Sequence, residues 1–294
     1  MLQVETKLPL EEREGLLPAA DSAALRFLYH TALGRLCLKP LAAPPISRLC
    51  GAFLSSRLSK VLIKGFVRKN GIDLSEFHAD GFTCFNDCFS RRIREGLRPF
   101  DPAWEVLSSP CDGLLSAYRL QEDTLLPVKQ SSYTLKELLG DNELAARYQN
   151  GVCLVFRLCV THYHRYCYPC NGTKGETRRI NGALHTVRPI ALETLPVFVQ
   201  NTRELTTLET EQFGTLLQME VGALLVGKIA NHQSGAASIT KGEEKGTFLY
   251  GGSTIILLLE KDAATLPSRI FENTAQGLET PVCMGETLGT VRHK

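Results

Sequence analysis

The pattern of the sequence changes near residue 80, and this change restricts the fold more than any other feature. Before it, residues 21–39 and 47–71 have helical periodicity, whereas after it short apolar runs alternate with turn residues, as in strands. Helices followed by strands predict an α+β fold. We expect N-terminal amphipathic helices in residues 1–75 and a β-rich domain in residues 76–294.

Both predicted helices have recognisable ends. Asp21 can cap the first helix, and Gly71 is a typical stop for the second, while Pro44-Pro45 separates the two.

The region from Ser22 to Ile72 contains nine lysines and arginines and no acidic residue. On the second predicted helix a basic face lies beside an apolar face, formed by Arg57, Lys60, Lys64 and Arg68 and by Leu54, Leu58, Leu62 and Phe66. Such a helix suits an anionic membrane surface. Packing of the apolar face on the protein is the alternative. Nucleic acid is not favoured, because no binding motif accompanies the charge.

Three apolar stretches in the second part predict strands: residues 152–160, 216–229 and 254–259. The stretch at 254–259 predicts a buried strand directly after Ser253. We expect the first twenty residues to be loosely structured and residues 281–294 to be peripheral.

The ten cysteines bear on the compartment. The start of the chain lacks the basic region and apolar core of a secretory signal, and no run of 18 apolar residues predicts a membrane span. We therefore expect thiols or metal ligands rather than disulfides.

Gly251-Gly252-Ser253-Thr254 is the first candidate for chemistry. Two glycines leave the Gly252 carbonyl unhindered, so the Ser253 hydroxyl could attack the preceding peptide bond. A tight turn into a strand is the ordinary interpretation of the same four residues.

Residues 160–172 place two histidines and two cysteines after an apolar strand. His162 and His164 are candidate acid–base groups, because histidine titrates near neutral pH. Together with Cys167, Cys170 and Cys159 they also provide enough nitrogen and sulfur ligands for zinc. Spacing alone does not exclude buried cysteines and surface histidines without a role.

Asp112 follows a proline and precedes a glycine. This pattern is typical of a turn, and a buried aspartate that orients a histidine is the functional alternative.

These stretches resemble the phosphatidylserine decarboxylase family from about residue 25 to the C-terminus. The resemblance rests on the order and spacing of short motifs, which are Phe-Asn-Asp-Cys-Phe-Ser-Arg-Arg at 85–92 with Arg-Pro at 98–99, Pro-Cys-Asp-Gly at 110–113, Lys129 with 133–135 and 138–140, Tyr-His-Arg at 163–165, 221–223 with 226–227, Lys-Gly-Glu-Glu-Lys-Gly at 241–246, and Gly-Gly-Ser-Thr at 251–254.

The resemblance implies a proenzyme that cuts itself between Gly252 and Ser253, giving a β chain of residues 1–252 and an α chain of residues 253–294. Ser253 would become a covalent pyruvoyl group. Asp112 matches the aspartate of the family's charge relay for self-cleavage, and His164 matches a histidine tied there to decarboxylation.

The chain departs from the family pattern at two positions. Cys167 stands where many members have the charge-relay histidine, and His162 replaces the aspartate before Tyr-His-Arg. For the base of self-cleavage we therefore expect His164 first, then His185 and then His162. Cys167 as a thiolate would need a cationic neighbour.

The implied reaction is the conversion of phosphatidylserine into phosphatidylethanolamine and CO2 through a Schiff base, with the pyruvoyl group as electron sink. It implies a peripheral enzyme on the cytoplasmic side of the cell membrane, docked through residues 22–72, and a homodimer of αβ units is considered as well. The alternatives are a pyruvoyl decarboxylase of a soluble amino acid, and a zinc- or lipid-binding protein that never matures.

Overall fold

The computed structural model describes residues 8–18, 21–121, 126–128, 131–192, 195–223, 228–249 and 253–292. Helices come first along the chain and strands follow, which confirms the predicted α+β class. The helices in these ranges are α1 (Ala23–His30), α2 (Ala32–Leu41), α3 (Pro44–Leu54), α4 (Val61–Asn70), α5 (Phe85–Phe89), α6 (Leu135–Leu139), α7 (Asn142–Arg147), α8 (Pro189–Leu192), α9 (Val197–Gln200) and α10 (Ser268–Ala275), with a 3-10 turn at Arg57–Lys60.

The first predicted helix, residues 21–39, is two helices. Ser22 rather than Asp21 caps α1, and its hydroxyl accepts a hydrogen bond from the Leu25 amide. Thr31 then ends α1 and caps α2, because its hydroxyl accepts the Gly34 amide at 2.9 Å. Side chains of this kind compete with the helical hydrogen-bond ladder, which explains the break.

The second predicted helix, residues 47–71, is also interrupted. The 3-10 turn separates α3 from α4, and within it the Ser59 hydroxyl lies 2.9 Å from the Leu54 carbonyl. Pro44 begins α3, since proline suits the first turn of a helix. Gly71 is the left-handed residue that ends α4, as predicted.

The N-terminal helices pack against the rest of the protein. Tyr29 of α1 and Leu38 of α2 are buried in the same apolar core as the strands, and the Tyr29 hydroxyl accepts the Thr186 amide at 3.0 Å. The proposed division at residue 75 stays a prediction. Among the described helices, none is both long and apolar enough to cross a membrane.

The strands fill most of the second part of the chain. In the described ranges they are β1 (Val106–Ser108), β2 (Gly113–Arg119), β3 (Leu126–Val128), β4 (Ser131–Tyr133), β5 (Val152–Leu158), β6 (Arg165–Cys167), β7 (Gly172–Lys174), β8 (Arg178–Ile180), β9 (Arg203–Thr210), β10 (Gly214–Val221), β11 (Ile229–Asn231), β12 (Ala237–Ile239), β13 (Glu244–Phe248), β14 (Ser253–Leu259), β15 (Ala264–Thr265), β16 (Thr280–Val282) and β17 (Thr287–Val291).

An antiparallel sheet forms the centre of the protein. Its strand order is β12-β7-β9-β10-β14-β5-β2-β16, with β8 also paired to β9. Every residue of β14 is buried, and β5 and β10 flank it. These three strands confirm the strand predictions for 152–160 and 254–259 and for the first part of 216–229; residues 224–227 of that stretch lie outside the described residues.

Three small sheets complete the β-rich part within the described ranges, with the orders β11-β13-β6, β1-β17-β15 and β3-β4. The expectation that residues 281–294 are peripheral was wrong, because β16 pairs with β2, and Val282 and Leu288 are fully buried. The expectation for the first twenty residues was wrong over residues 8–18, where Arg13 is buried and paired with Glu286.

Candidate active site

The predicted site residues lie along one edge of the central sheet, where its central strands begin or end. Ser253, the first residue of β14, pairs with Leu158 at the end of β5. The next strand, β2, begins at Gly113, so Asp112 lies at the same edge. The segment between β5 and β6, which carries His162 and His164, leaves the sheet there too. The antiparallel order therefore brings distant parts of the chain together.

Ser253 is completely buried, and its Oγ has no hydrogen-bond partner among the described residues. A buried hydroxyl without a partner costs about 1–3 kcal/mol, and such groups in native structures call for an explanation. Gly251 and Gly252, on the other side of the expected cut, lie outside the described residues, as do Lys129, Val226 and Gly227 of the motifs.

His164 is completely buried directly before β6, with its ring 4.1 Å from that of Phe89 between centroids. Nδ1 lies 2.9 Å from the His162 carbonyl oxygen. A carbonyl only accepts, so Nδ1 carries the proton and Nε2 keeps its lone pair. Nε2 has no partner in the described part of the chain. Burial, assisted by the charge of Arg91, holds the pKa of His164 well below its usual value.

His162 is buried in the opposite tautomer. Its Nδ1 accepts the Cys159 amide at 3.2 Å, so the neutral ring carries its proton on Nε2. Burial lowers the pKa of His162 to about 4, although the Asp112 charge acts against this shift. The lone pair of His162 is therefore occupied, whereas that of His164 is free.

His185 lies near the same edge, where β10 ends. The Asn201 side chain donates to the carbonyls of His185 and of Gly222, which follows β10, at 2.8 and 2.7 Å. The ring of His185 meets that of Tyr29 edge-on, and its Nδ1 has no partner among the described residues. Burial lowers the pKa of His185. It therefore remains a second candidate base.

Cys167 lies on β6 and is buried. Its thiol is 3.4 Å from the Pro110 carbonyl, to which it can donate. Burial raises the pKa of Cys167 above the usual thiol value. The side chain is therefore a neutral thiol, and a neutral thiol is a poor base.

Asp112 forms an ion pair rather than a hydrogen bond to a histidine. Arg98 donates to both carboxylate oxygens, at 2.8 and 2.6 Å, and the Met284 amide donates to Oδ1 at 2.8 Å. Asp112 therefore joins the start of β2 to Arg98 and, through the Met284 amide, to the segment after β16. Arg98 belongs to the Arg-Pro motif at 98–99, but nothing in the spacing predicted its partner.

The described residues contain no group of three or more histidine, cysteine, aspartate or glutamate side chains arranged to hold a metal ion. Within these ranges the zinc alternative therefore has no support, and the Nδ1 lone pair of His162 already accepts a backbone amide.

Sequence reasoning missed two buried cations. Lys245 on β13 lies 2.6 Å from Glu220 on β10, and both side chains are fully buried between the central sheet and a small sheet. Arg91, after α5, is buried beside the histidine segment. Both fall in motifs, Arg91 in 85–92 and Lys245 in 241–246, but the motifs do not predict burial, and the partner of Lys245 depends on a strand arrangement that the sequence does not reveal.

The fold and the site together define an α+β protein whose candidate catalytic side chains lie along one sheet edge, shielded from water. Serine, histidine and aspartate are all buried there, and two of them have free polar atoms.

Comparison with known proteins identifies the family. The family model described as phosphatidylserine decarboxylase matches residues 85–290. The chain is 42% identical to phosphatidylserine decarboxylase proenzyme 2 of Clostridium acetobutylicum over 90% of this chain and 91% of that protein. It is 40% identical to the phosphatidylserine decarboxylase proenzyme of Ruminiclostridium cellulolyticum and 38% identical to that of Fusobacterium nucleatum, over 92% of each chain. The chain belongs to the phosphatidylserine decarboxylase family and is a carboxy-lyase.

Proposed function

We propose that this chain is a proenzyme that cuts itself between Gly252 and Ser253 and then decarboxylates phosphatidylserine to phosphatidylethanolamine and CO2. The carrying observation is the buried hydroxyl of Ser253 at the same sheet edge as Nε2 of His164, both without a hydrogen-bond partner among the described residues. The relatives are named as phosphatidylserine decarboxylase proenzymes, which supports the same proposal.

Self-cleavage begins with addition of Ser253 Oγ to the Gly252 carbonyl carbon, while a base takes the hydroxyl proton. The peptide C–N bond breaks, the nitrogen is protonated, and an ester remains. Removal of the Ser253 α-proton then expels Gly252 as a carboxylate and leaves dehydroalanine. Water replaces the nitrogen, which leaves as ammonia, and the new N-terminus is a pyruvoyl group.

His164 is the proposed base. It is neutral, its Nε2 lone pair has no partner within the described ranges, and the low-polarity surroundings favour transfer of the proton away again. His162 uses its lone pair on a backbone amide, and Cys167 is held as a thiol. His185 is the second choice. Asp112 acts through structure, since Arg98 and the Met284 amide occupy its oxygens.

The surroundings of Ser253 fit a pyruvoyl group, because the residue is enclosed and its oxygen forms no bond to the described residues that the conversion would break. Once formed, that group supplies the electron sink for the pair released as CO2 leaves. The reaction consumes one proton overall, which His164 Nε2 would take up from water and pass to the substrate α-carbon. Because burial lowers its pKa, the protonated ring gives up that proton readily.

The two chains would stay together after the cut. The α chain starts with β14, which pairs on both sides with strands of the β chain, β10 and β5. Twelve register pairs in all hold it there, five with β10 and seven with β5. A homodimer of αβ units remains a prediction.

The N-terminal helices would dock on an anionic membrane, on its cytoplasmic side. Arg57, Lys60, Lys64 and Arg68 are all exposed, although the 3-10 turn breaks their common helix. Leu54 of the predicted apolar face is buried, whereas Leu58 and Val61 are 75% and 81% exposed. Exposed apolar side chains beside basic ones suit the interface of an anionic bilayer.

The role of His164 is tested with His164→Ala. We expect the variant to accumulate uncut chain on a denaturing gel, because Ser253 loses its base. His232→Ala is the matched control, since His232 is half exposed and pairs with Glu244, and it should cut normally. Normal cutting of His164→Ala with lost turnover would confine His164 to decarboxylation and move the base to His185.

Turnover of free serine but not of phosphatidylserine vesicles would favour the soluble-substrate alternative.

A further inference from the structure

We propose that Arg91 is a positioning residue that keeps His164 uncharged with its proton on Nδ1, so that Nε2 is free to take the proton of Ser253. This inference rests on the proposed role of His164 and adds the residue that sets its protonation and tautomer.

Arg91 is a buried cation held by backbone carbonyls. Only 2% of the residue is exposed, and among the described residues it forms no ion pair with a carboxylate. One terminal nitrogen lies 2.9 Å from the Thr161 carbonyl, and the other lies 3.4 Å from the Phe89 carbonyl. The guanidinium also stacks over the Phe77 ring at 4.4 Å. Burying an unpaired charge is costly, so its retention calls for a function.

Arg91 and His164 share one acceptor. The His162 carbonyl lies 2.9 Å from His164 Nδ1 and 3.4 Å from the Arg91 nitrogen that also reaches Thr161. A carbonyl has two lone pairs and can accept both donors. Arg91 therefore fixes the backbone group that orients the His164 ring, and this bond assigns the ring proton to Nδ1.

The charge of Arg91 acts in the same direction as burial. A second positive charge on the His164 ring would be repelled by the guanidinium, which lowers the pKa of His164 beyond the effect of desolvation. The geometry thus gives a neutral ring with the lone pair on Nε2, as a base requires.

The other titratable groups around Arg91 and His164 do not reverse this effect. They are His162, Asp112, Cys88, Tyr163 and Glu76. His162 is neutral near pH 7, Asp112 is paired with Arg98, and burial raises the pKa of Cys88 and raises that of Tyr163 to about 12. Glu76 acts on Arg91, but the charge that acts on His164 is that of Arg91.

The direct test is long-range proton–nitrogen NMR of the histidine rings in the full-length Ser253→Ala chain, which cannot cut itself. A His164→Gln version assigns the signal. At about pH 6.5, where an ordinary histidine is half protonated, we expect His164 to be neutral with its proton on Nδ1. An Nε2-protonated or half-charged ring would overturn the proposal before any Arg91 variant is made.

Arg91→Met removes the charge and keeps an apolar stem. We expect the pKa of His164 to rise by about one unit or more and the tautomers to mix. Arg91→Lys keeps a cation and should retain most of the low pKa. Arg92→Met is the matched control, because Arg92 is the next residue and its side chain is exposed. This variant should leave the pKa and the tautomer of His164 unchanged. A folded Arg91→Met chain in which the pKa and the tautomer of His164 are unchanged would refute the proposal. If Arg91→Met does not fold, Arg91→Lys provides the test, and loss of the low His164 pKa in that chain would refute the proposal.

The second readout is the rate of self-cleavage against pH with Ser253 intact. A base works only when deprotonated, so a raised pKa moves the acid limb of the profile to higher pH in Arg91→Met. If the NMR changes appear but the profile does not move, Arg91 does not act on cutting and the proposal fails. If His164→Ala still cuts, the function proposed for His164 has failed, whereas the NMR readout of the His164 ring tests the effect of Arg91 separately.

Discussion

Four buried polar atoms without partners in the described part of the chain lie along one sheet edge: Ser253 Oγ, Thr254 Oγ1, His164 Nε2 and His185 Nδ1. Each costs on the order of 1–3 kcal/mol of stability if it stays unpaired. A fold accepts such a cost where a reaction needs free donors and acceptors, and most buried groups elsewhere are paired. Buried polar atoms without hydrogen-bond partners therefore mark the candidate site.

The buried histidines also make stability depend on pH. His162 has a pKa of about 4 in the folded chain and about 6.5 when unfolded, so the unfolded state binds the proton first. Its contribution is complete above pH 6.5 and is lost as the pH falls toward 4. The difference amounts to about 3 kcal/mol. Full-length Ser253→Ala should therefore lose stability over this window, as measured by urea unfolding.

His162→Asn in the same background separates this residue from His164, which acts in the same direction and is present in both chains. Asparagine can still accept the Cys159 amide but cannot be protonated. The variant should show a shallower loss between pH 6.5 and 4. The same slope in both chains would mean that His162 does not titrate as described.

At this scale the motifs located Ser253, His164 and Asp112, because their residue types and order are local in sequence. The partner of Asp112 and the tautomers of the two histidines were not predictable. Arg98 meets Asp112 only through the folded sheet edge, and a tautomer depends on which carbonyl or amide the ring meets.

Among the elements, the central strands were the easiest to predict. β5 and β14 are continuous apolar runs buried on both faces, and such runs have few alternatives. The helices before residue 72 were harder. The side chains of Thr31 and Ser59 hydrogen-bond backbone groups, which breaks two long periodic patterns that hydrophobicity alone leaves intact.

The broken second helix still presents its charges, and the membrane proposal is tested on it. The double variant Lys60→Glu/Lys64→Glu should lower the affinity for anionic liposomes about 30-fold, as measured by flotation. The reason is that each basic residue near such a surface contributes about 1 kcal/mol to binding. The matched control is Lys136→Glu/Lys261→Glu, which reverses two exposed lysines on other elements and should bind normally. Equal binding by the two double variants would refute docking through this region.

Across the whole molecule, the expected cut falls at the start of the most buried strand. β14 lies between β10 and β5, and all of its residues are inaccessible to water. Cutting before Ser253 frees one chain end without removing a strand from the sheet. The α+β class could be predicted from the sequence, but the place of residues 281–294 could not, because their role in two sheets depends on pairing with β2 and β1.

Intact mass under denaturing conditions tests self-cleavage at Gly252–Ser253 most directly. For the purified full-length chain we expect two species, residues 1–252 and residues 253–294, the second lighter by one ammonia because its serine has become a pyruvoyl group. Ser253→Ala should give a single species with the mass of the whole chain. A single uncut species from the unaltered chain, or fragments that meet at another bond, would contradict the account.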